Sequence, residues 1–354
     1  MVFLKQKCAL HMGYLFLQPQ KIPSSTGNKS ANIMEHTSEA LRVLFIDSTH
    51  PLLPEKLTRA GLSCDYRPEI TISLAEKTIH NYDGIIIRSK FRLDQNLLSR
   101  ATKLKFIGRV GSGLENIDVE YAKSRNIVCF NSPEGHRDAT GEHTVGMLLA
   151  LLNNICKANY EVKNGQWFRE VNRGLEIMGK TIGIIGYGNT GKCFARCLSG
   201  FNARILAYDK YKFNYSDQYV TESVMNDLFD NCDILSLNIP LTEETHYLVN
   251  NDFLNRFKKD IYIVNISRGR IINTADLVYN LKKGKIKGAA LDVLEYEKSS
   301  FEELHRNIPE DYVFLMEHPR VILTPHIAGW THESNIRLAE VLADKIIKSF
   351  GRII

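Results

Sequence analysis

A glycine-rich turn between an apolar strand and a helix constrains the fold of this 354-residue chain most strongly. The turn contains Gly186, Gly188 and Gly191, follows the apolar run 181–186 and opens a helical stretch over 192–198. Another apolar run, which ends in Asp209, comes next. The three glycines alone are a weak signal, but strand, turn, helix and strand in this order are the context that a dinucleotide-binding unit requires.

Each part of this turn has a physical role in holding a dinucleotide. Gly186 permits the tight bend, Gly188 lets the backbone approach a pyrophosphate, and Gly191 allows the helix to pack closely on the strand. Amides at the helix start then face the phosphate charge. Asp209 suits ribose hydroxyls and repels a 2′-phosphate, which favours NAD over NADP, although Lys210 and Lys212 weaken that preference. The alternative is a glycine-rich turn in an unrelated α/β protein.

Two series of short apolar runs divide the chain, as is expected for two domains at this length. Polar or helical segments separate the runs, and such alternation predicts parallel sheets with crossover helices. The first series covers residues 43–47, 84–87, 104–108 and 127–130. The second covers residues 181–186, 203–209, 233–237, 262–266, 288–293 and 321–324. The prediction is an α/β protein with two doubly wound parallel-sheet domains.

Helical patterns are predicted over residues 138–163 and 333–350. The first is apolar around much of its circumference, which indicates burial against a second domain or a second subunit. The second lies beyond the last strand, so we expect it to fold back onto the first domain.

Composition excludes several classes of function. A net charge of +5 without a block of like charge disfavours nucleic acid or a membrane surface as a partner, and the apolar runs are too short to span a bilayer. Seven cysteines without a C-x-x-C spacing predict neither a disulfide framework nor a metal site. Cys193 and Cys197, four residues apart, are interpreted as packing thiols rather than metal ligands. We therefore expect a cytoplasmic protein, with residues 1–40 a disordered extension; a weak secretion signal is the alternative there.

Three segments that follow strands of the second series carry candidate catalytic groups: residues 265–270, 291–297 and 323–331. Removing a hydride from a hydroxyl-bearing carbon requires a base for the hydroxyl proton and a cation for an adjacent acid group. His326 is the candidate base, Glu297 its partner, and Arg268 the cation. Taken singly, each has a simpler interpretation as a turn or surface residue. Together, at the carboxyl ends of strands that face a dinucleotide, they predict an active site.

On these motifs, residues 43–350 resemble the D-2-hydroxyacid dehydrogenase family. The resemblance implies that Arg268 binds the substrate carboxylate and keto oxygen, that His326 donates or accepts the proton, and that Glu297 hydrogen-bonds the histidine. It also implies NAD as the cofactor, a homodimer, a flavodoxin-like substrate-binding domain (residues 41–135 and 325–354) and a Rossmann NAD-binding domain (residues 136–324).

Further site residues follow from the resemblance and the motifs. The cofactor-binding set is Gly186, Gly188, Asn189, Thr190, Gly191, Asp209, Ile239, Pro240, Ile266, Ser267, Arg268, Asp292, His326 and Gly329. The substrate-binding set is Arg88, Lys90, Gly111, Ser112, Gly113 and Arg268. On the residues alone, the amides of the second glycine cluster, 111–113, hold a substrate carboxylate or form a plain turn.

The chain departs from the family pattern at several positions. Lys298 replaces a common proline, Asn238 replaces a frequent histidine, and Glu295 competes with Glu297 for the role beside the histidine. The segment 299–320 is predicted to form a surface loop and helix beside the site.

The substrate is predicted to be a small anionic 2-hydroxy acid. Arg88 and Lys90 resemble the stretch of phosphoglycerate dehydrogenases that meets the substrate, and with Arg109 they would supply a phosphate site, so D-3-phosphoglycerate, in serine biosynthesis, is the leading hypothesis. Solvated charges at a strand end are the alternative interpretation of Arg88 and Lys90. Hydroxypyruvate, glyoxylate or another D-2-hydroxy acid is the alternative, and a corepressor-like NAD(H) sensor is the alternative from another class. We expect no regulatory domain after the last helix.

Overall fold

The structure is a computed structural model that describes residues 39–297 and 309–351. The predicted extension over residues 1–40 therefore lies almost wholly outside the described residues. The same holds for Lys298 and for much of the predicted segment 299–320.

The first half of the described chain forms a five-stranded parallel sheet in the order β2-β1-β3-β4-β5. The strands are β1 Arg42–Phe45, β2 Ser63–Tyr66, β3 Gly84–Ile87, β4 Phe106–Arg109 and β5 Val128–Asn131. The helices between them are α1 Leu52–Arg59, α2 Ile72–Thr78, α3 Gln95–Arg100 and α4 Val119–Ser124. This strand order is that of a flavodoxin-like sheet.

The second half forms a seven-stranded parallel sheet in the order β12-β11-β10-β9-β6-β7-β8. Its strands are β6 Thr181–Ile185, β7 Arg204–Tyr208, β8 Thr221–Glu222, β9 Ile234–Leu237, β10 Ile261–Asn265, β11 Ile286–Leu291 and β12 Val321–Leu323. The remaining helices are α5 Arg137–Leu152, α6 Ile155–Lys163, α7 Asn189–Cys197, α8 Met225–Asn231, α9 Asn251–Asn255, α10 Thr274–Lys282, α11 Glu310–Glu317 and α12 His332–Phe350. The chain reverses direction across the sheet between β6 and β9, as in a Rossmann fold, so the predicted fold class is confirmed.

Burial on both faces explains why the strands read as apolar runs rather than alternating patterns. Every residue of β3, β6 and β10 is buried. The last helix, α12, packs on the first sheet: Leu342 and Ile346 share a core with Val43 and Phe45. The chain therefore returns from the second sheet to cover the first. The exact boundaries predicted for the two domains stay a prediction.

The prediction of one helix over residues 138–163 is wrong. The helix breaks between α5 and α6, where Asn154 adopts a left-handed conformation with φ of 53°. Because asparagine tolerates this conformation, two adjacent asparagines form the break at little cost. The helix α5 packs on the second sheet, whereas α6 buries none of its residues.

No helix in the described ranges is long and apolar enough to cross a membrane. Cys193 is buried on α7, where its thiol donates to the Asp138 carboxylate. Within residues 39–297 and 309–351, no cluster of three or more potential metal ligands is present.

Candidate active site

A cleft of about 820 Å³ lies at the carboxyl ends of strands from both sheets. Ligands of open α/β sheets bind at this edge, where the chain reverses its direction across the sheet. From the first sheet, the loops after β3, β4 and β5 line the cleft. From the second sheet, the loops after β6, β9, β10, β11 and β12 line it.

The glycine turn after β6 has the geometry that a bound pyrophosphate requires. Gly186 has φ of +92°, and a Cβ there would lie 2.4 Å from the Asn238 carbonyl oxygen. A Cβ on Gly188 would meet no protein atom within 4 Å, so packing within the protein does not explain this glycine. It begins α7 without a side-chain cap, which leaves the first amides of the helix to an external anion. The residues present therefore fit a dinucleotide.

Asp209 stands at the end of β7 beside this turn. Its carboxylate accepts hydrogen bonds from the amides of Tyr187 (2.9 Å) and Tyr211 (3.0 Å). Lys212 donates to the Tyr187 carbonyl, and Lys210 pairs with Glu244. Both lysines that follow Asp209 thus have other partners, and the carboxylate keeps lone pairs for ribose hydroxyls.

His326 and Glu297 form a hydrogen-bonded pair that lines the cleft, with 2.7 Å between His326 Nδ1 and Glu297 Oε2. Their side chains are 24% and 13% exposed. The other carboxylate oxygen of Glu297 accepts a hydrogen bond from the Leu294 amide. Glu295 instead contacts Tyr247 and the Thr274 amide. The carboxylate that faces the imidazole is thus fixed by its own loop.

Asp292 holds the loop that carries His326. The histidine has a left-handed φ of 55°, which is uncommon for a residue other than glycine. The carboxylate of Asp292 accepts hydrogen bonds from the Thr324 hydroxyl (2.5 Å) and from the amides of Ile327 (2.9 Å) and Ala328 (2.8 Å). Burial raises the pKa of Asp292, but hydrogen bonds from His143, Thr324 and these amides outweigh it, and the pKa lies below its ordinary value.

Arg268 enters the cleft from the turn after β10. Buried Asn265 shapes this turn, since its side chain accepts from the Ser267 amide and donates to the Arg268 carbonyl. The guanidinium donates through Nε to Glu115 (2.7 Å) and through Nη1 to the Ser267 carbonyl (2.7 Å). Burial raises the pKa of Glu115. The charge and hydrogen bond of Arg268 lower this pKa and contribute to a net value below the ordinary one.

Three further cationic or basic side chains line the cleft. Burial lowers the pKa of Arg109 to about 10, and its Nε has no hydrogen-bond partner among the described residues. Burial and the charge of Arg109 lower the pKa of His136 to about 4, which keeps this ring neutral at pH 7. The guanidinium carbon of Arg88 lies 4.9 Å from the centre of the Trp330 ring at the cleft edge. An anionic ligand is the natural occupant of such a cleft.

Most of the predicted site residues meet in this cleft. The predicted residues that line it are Arg88, Gly111, Ser112, Gly113, Gly188, Asn189, Thr190, Ile239, Pro240, Ile266, Ser267, Arg268, Asp292, Glu297, His326 and Gly329. Gly186, Gly191 and Asp209 support the cleft from the glycine turn and the end of β7.

Lys90 is the predicted residue that the structure does not bring to the cleft. The Asp47 carboxylate accepts hydrogen bonds from the backbone amides of residues 88–90 and so fixes the conformation of this turn. The exposed Lys90 ammonium donates a hydrogen bond to the Pro68 carbonyl. Its prediction as a substrate ligand rested on the resemblance of residues 88–90 to a stretch of phosphoglycerate dehydrogenases that meets the substrate. The geometry separates the two side chains.

The lining residues that the sequence prediction did not include are led by four polar or aromatic side chains: Glu115, His136, Tyr312 and Trp330. Glu115 follows the second glycine cluster by two positions, and Trp330 follows Gly329, so position in the motifs was an available signal for both. His136 and Tyr312 gave none, because only the tertiary fold brings them here.

A two-domain α/β chain with a dinucleotide turn and a His–Glu pair opposite an arginine defines a nicotinamide-dependent dehydrogenase class. Comparison with known families makes this specific: residues 145–328 match the model of the D-isomer specific 2-hydroxyacid dehydrogenase NAD binding domain. The chain belongs to the D-isomer specific 2-hydroxyacid dehydrogenase family, and the predicted family and cofactor, NAD, are confirmed.

Individual relatives differ in what they act on. The chain is 34% identical over 275 residues to a hydroxypyruvate reductase of Thermotoga maritima, covering 78% of this chain and 87% of the relative. It is 32% identical over 276 residues to a D-3-phosphoglycerate dehydrogenase of Bacillus subtilis, covering 77% of this chain and 50% of the relative, so it spans about half of that protein. A crystal structure of Aquifex aeolicus D-lactate dehydrogenase with NAD and lactic acid superposes with a TM-score of 0.74 at 26% identity, covering 87% of this chain and 95% of the other.

Proposed function

We propose that this protein transfers a hydride between NAD(H) and a small anionic D-2-hydroxy or 2-keto acid, with Arg268, Glu297 and His326 as its catalytic residues. The observation that carries the proposal is the His326–Glu297 pair in the same cleft as Arg268 and the glycine turn. Bound NAD supplies the hydride acceptor in oxidation and the donor in reduction.

The side chains have distinct tasks in this reaction. In the oxidation direction, the His326 imidazole takes the hydroxyl proton as the C–H bond breaks, and it returns that proton in the reverse direction. Glu297 orients the ring and stabilises the imidazolium. Arg268 binds the carboxylate and polarises the C–O bond, for which a planar guanidinium is better suited than an ammonium.

We propose D-3-phosphoglycerate as the substrate, which would place the protein in serine biosynthesis. Arg109 supports this hypothesis, because it is a buried cation whose Nε has no hydrogen-bond partner among the described residues, and a second anionic group on the ligand would supply one. Arg88 also lines the cleft, and its charge contributes to the lowered pKa of Arg109. Hydroxypyruvate is the second candidate, favoured by the identity to the Thermotoga relative over most of its length.

A substrate panel tests both levels of the proposal. The enzyme is assayed for NADH formation with D-3-phosphoglycerate, D-glycerate and D-lactate, with the L-isomers of these three hydroxy acids as controls. It is also assayed for NADH consumption with the achiral keto acids hydroxypyruvate and glyoxylate. The proposal predicts that only the D-isomers of the hydroxy acids are oxidised, and that kcat/KM is highest for D-3-phosphoglycerate. Highest kcat/KM for hydroxypyruvate would reassign the substrate, whereas NADH binding without turnover on any compound would favour a sensor.

We further propose a cytoplasmic homodimer. An exposed apolar face supports the dimer, since a monomer seldom leaves so many large side chains in water. These residues are Ile155, Tyr160, Val162, Trp167, Phe168, Val171, Leu175 and Met178. Light scattering after gel filtration should give twice the 40.3 kDa chain mass for the wild type and a shift toward the monomer for Trp167→Glu. A wild-type monomer at micromolar concentration would refute the dimer.

A further inference from the structure

We propose that Glu115 is a positioning residue for Arg268. Its carboxylate, in the loop after β4 of the first sheet, fixes the orientation of the Arg268 guanidinium, which lies in the turn after β10 of the second sheet. The inference rests on the proposed function, because it takes Arg268 as the group that binds the substrate carboxylate. Neither the motifs nor the family resemblance singled out Glu115.

Two hydrogen bonds fix the plane of the Arg268 guanidinium. Nη1 donates to the Ser267 carbonyl within the same turn, which alone would let the group rotate about that contact. Nε donates to Glu115 Oε1 at 2.7 Å, a bond between residues 153 positions apart in the chain. Because a guanidinium is rigid and planar, contacts at Nε and Nη1 together determine the direction of its remaining N–H groups. Glu115 therefore sets the direction in which the N–H groups of Arg268 point.

The loop after β4 is shaped for this contact. A Cβ on Gly113 would lie 1.9 Å from Glu115 Oε2 and 2.3 Å from Arg268 Nη2. The ion pair thus occupies the space that a larger residue at position 113 would fill. An aspartate at position 115 is one methylene shorter, so it would keep the charge and lose the 2.7 Å contact.

The charge of Glu115 allows its effect on the orientation of Arg268 to be told apart from an effect on the attraction of the anionic substrate. Its carboxylate stands beside the charges of Arg268 and Arg109, and its depressed pKa keeps it ionised at neutral pH. Removing this negative charge makes the cleft more attractive to an anionic substrate, which opposes any rise in KM. Removing the hydrogen bond misaligns Arg268 in the transition state, which lowers kcat. A positioning residue of this kind therefore acts on kcat far more than on KM.

The kinetic test compares Glu115→Ala, Glu115→Gln and Glu115→Asp with the control Glu120→Gln, which removes an exposed acid from the first turn of α4 outside the cleft. On the best substrate of the panel, kcat should fall about tenfold in Glu115→Ala and Glu115→Asp, the order expected for losing one charge-assisted hydrogen bond that orients a reacting group. In Glu115→Gln, which keeps a hydrogen-bond acceptor, kcat should fall less than in Glu115→Ala. KM should change by less than about threefold, and NADH affinity should match the wild type.

Several results would overturn the inference: an unchanged kcat in Glu115→Ala, full activity in Glu115→Asp, a loss confined to KM, or an equal loss in Glu120→Gln. A second readout does not depend on turnover. The Arg268 Nε–H signal in a ¹⁵N NMR spectrum, assigned through Arg268→Lys, should exchange slowly with water in the wild type and rapidly in Glu115→Ala. Fast exchange in the wild type would refute the contact, whereas an inactive wild type with a protected signal would refute only the proposed function.

Discussion

Asp292→Asn tests whether a buried carboxylate holds His326, the proposed proton acceptor, in place. Asp292 is 1% exposed and accepts three hydrogen bonds from the loop that carries His326. An asparagine that keeps its oxygen at the position of Oδ1 retains the bonds from Thr324 and Ile327. Its NH₂ group then points at the Ala328 amide, so two donors face each other.

The expected cost follows from that change. Hydrogen bonds to charged groups contribute about 1.5–3 kcal/mol each, and an unsatisfied buried donor adds to the loss. We therefore expect the free energy of unfolding to fall by about 2–4 kcal/mol in urea titrations. Relaxation of the left-handed turn at His326 displaces the imidazole, and a displacement near 1 Å lowers kcat by on the order of 10²-fold.

The pH dependence has a defined sign. Because the folded protein depresses the pKa of Asp292, its contribution to stability is complete above the pKa of an unfolded aspartate, about 3.9, and disappears as the pH falls through the lower folded value. The variant should therefore lose less stability than the wild type on acidification below about pH 4.

Asp260→Asn is the matched control, since its carboxylate is 55% exposed and lies 3.9 Å from Lys285. Its free energy of unfolding should stay within about 0.5 kcal/mol of the wild type. The reasoning fails if Asp292→Asn costs less than about 1 kcal/mol and retains the wild-type kcat.

Three further predictions concern the cofactor, pH and the substrate cation. Asp209→Ser removes the carboxylate that disfavours a 2′-phosphate, so the ratio of kcat/KM for NADP to that for NAD should rise at least about tenfold; an unchanged ratio would argue against its role. Burial lowers the pKa of His136 to about 4, whereas an unfolded histidine has a pKa of about 6.5, so the unfolded state binds more protons between these values and the free energy of unfolding falls as the pH drops from 7 to 5. In His136→Gln this fall should be smaller, because the titrating group is gone. A fall as steep as that of the wild type would refute the prediction. Arg268→Lys should lower kcat/KM by about 10²-fold or more, and near-normal turnover would disprove the need for a planar guanidinium at this position.

Much of the fold was predictable because its parallel strands are buried on both faces. The runs at β3 and β6 could be recognised directly, since every residue is buried. The strands β2 and β8 were missed, because edge strands with half-exposed residues such as Ser63 and Glu222 carry no apolar run. The break at Asn154 was missed because the apolar pattern continues through it.

The candidate site was predictable where chemistry and chain position coincide. Gly188 and His326 lie directly after strands, so parallel topology alone brings them to one edge. Glu115 and His136 depend on how loops of the first sheet meet the second, and a linear pattern does not encode that contact. Lys90 shows the converse, because a residue near the right motif can point outward when its own turn directs it there.

His326→Ala gives the most direct test of the central claim that this imidazole moves the substrate proton. With the best D-2-hydroxy acid and NAD, the variant should lose on the order of 10²–10⁴-fold in kcat, while it still binds NADH. A variant that binds NADH normally and keeps more than about a tenth of the wild-type kcat would contradict the assignment.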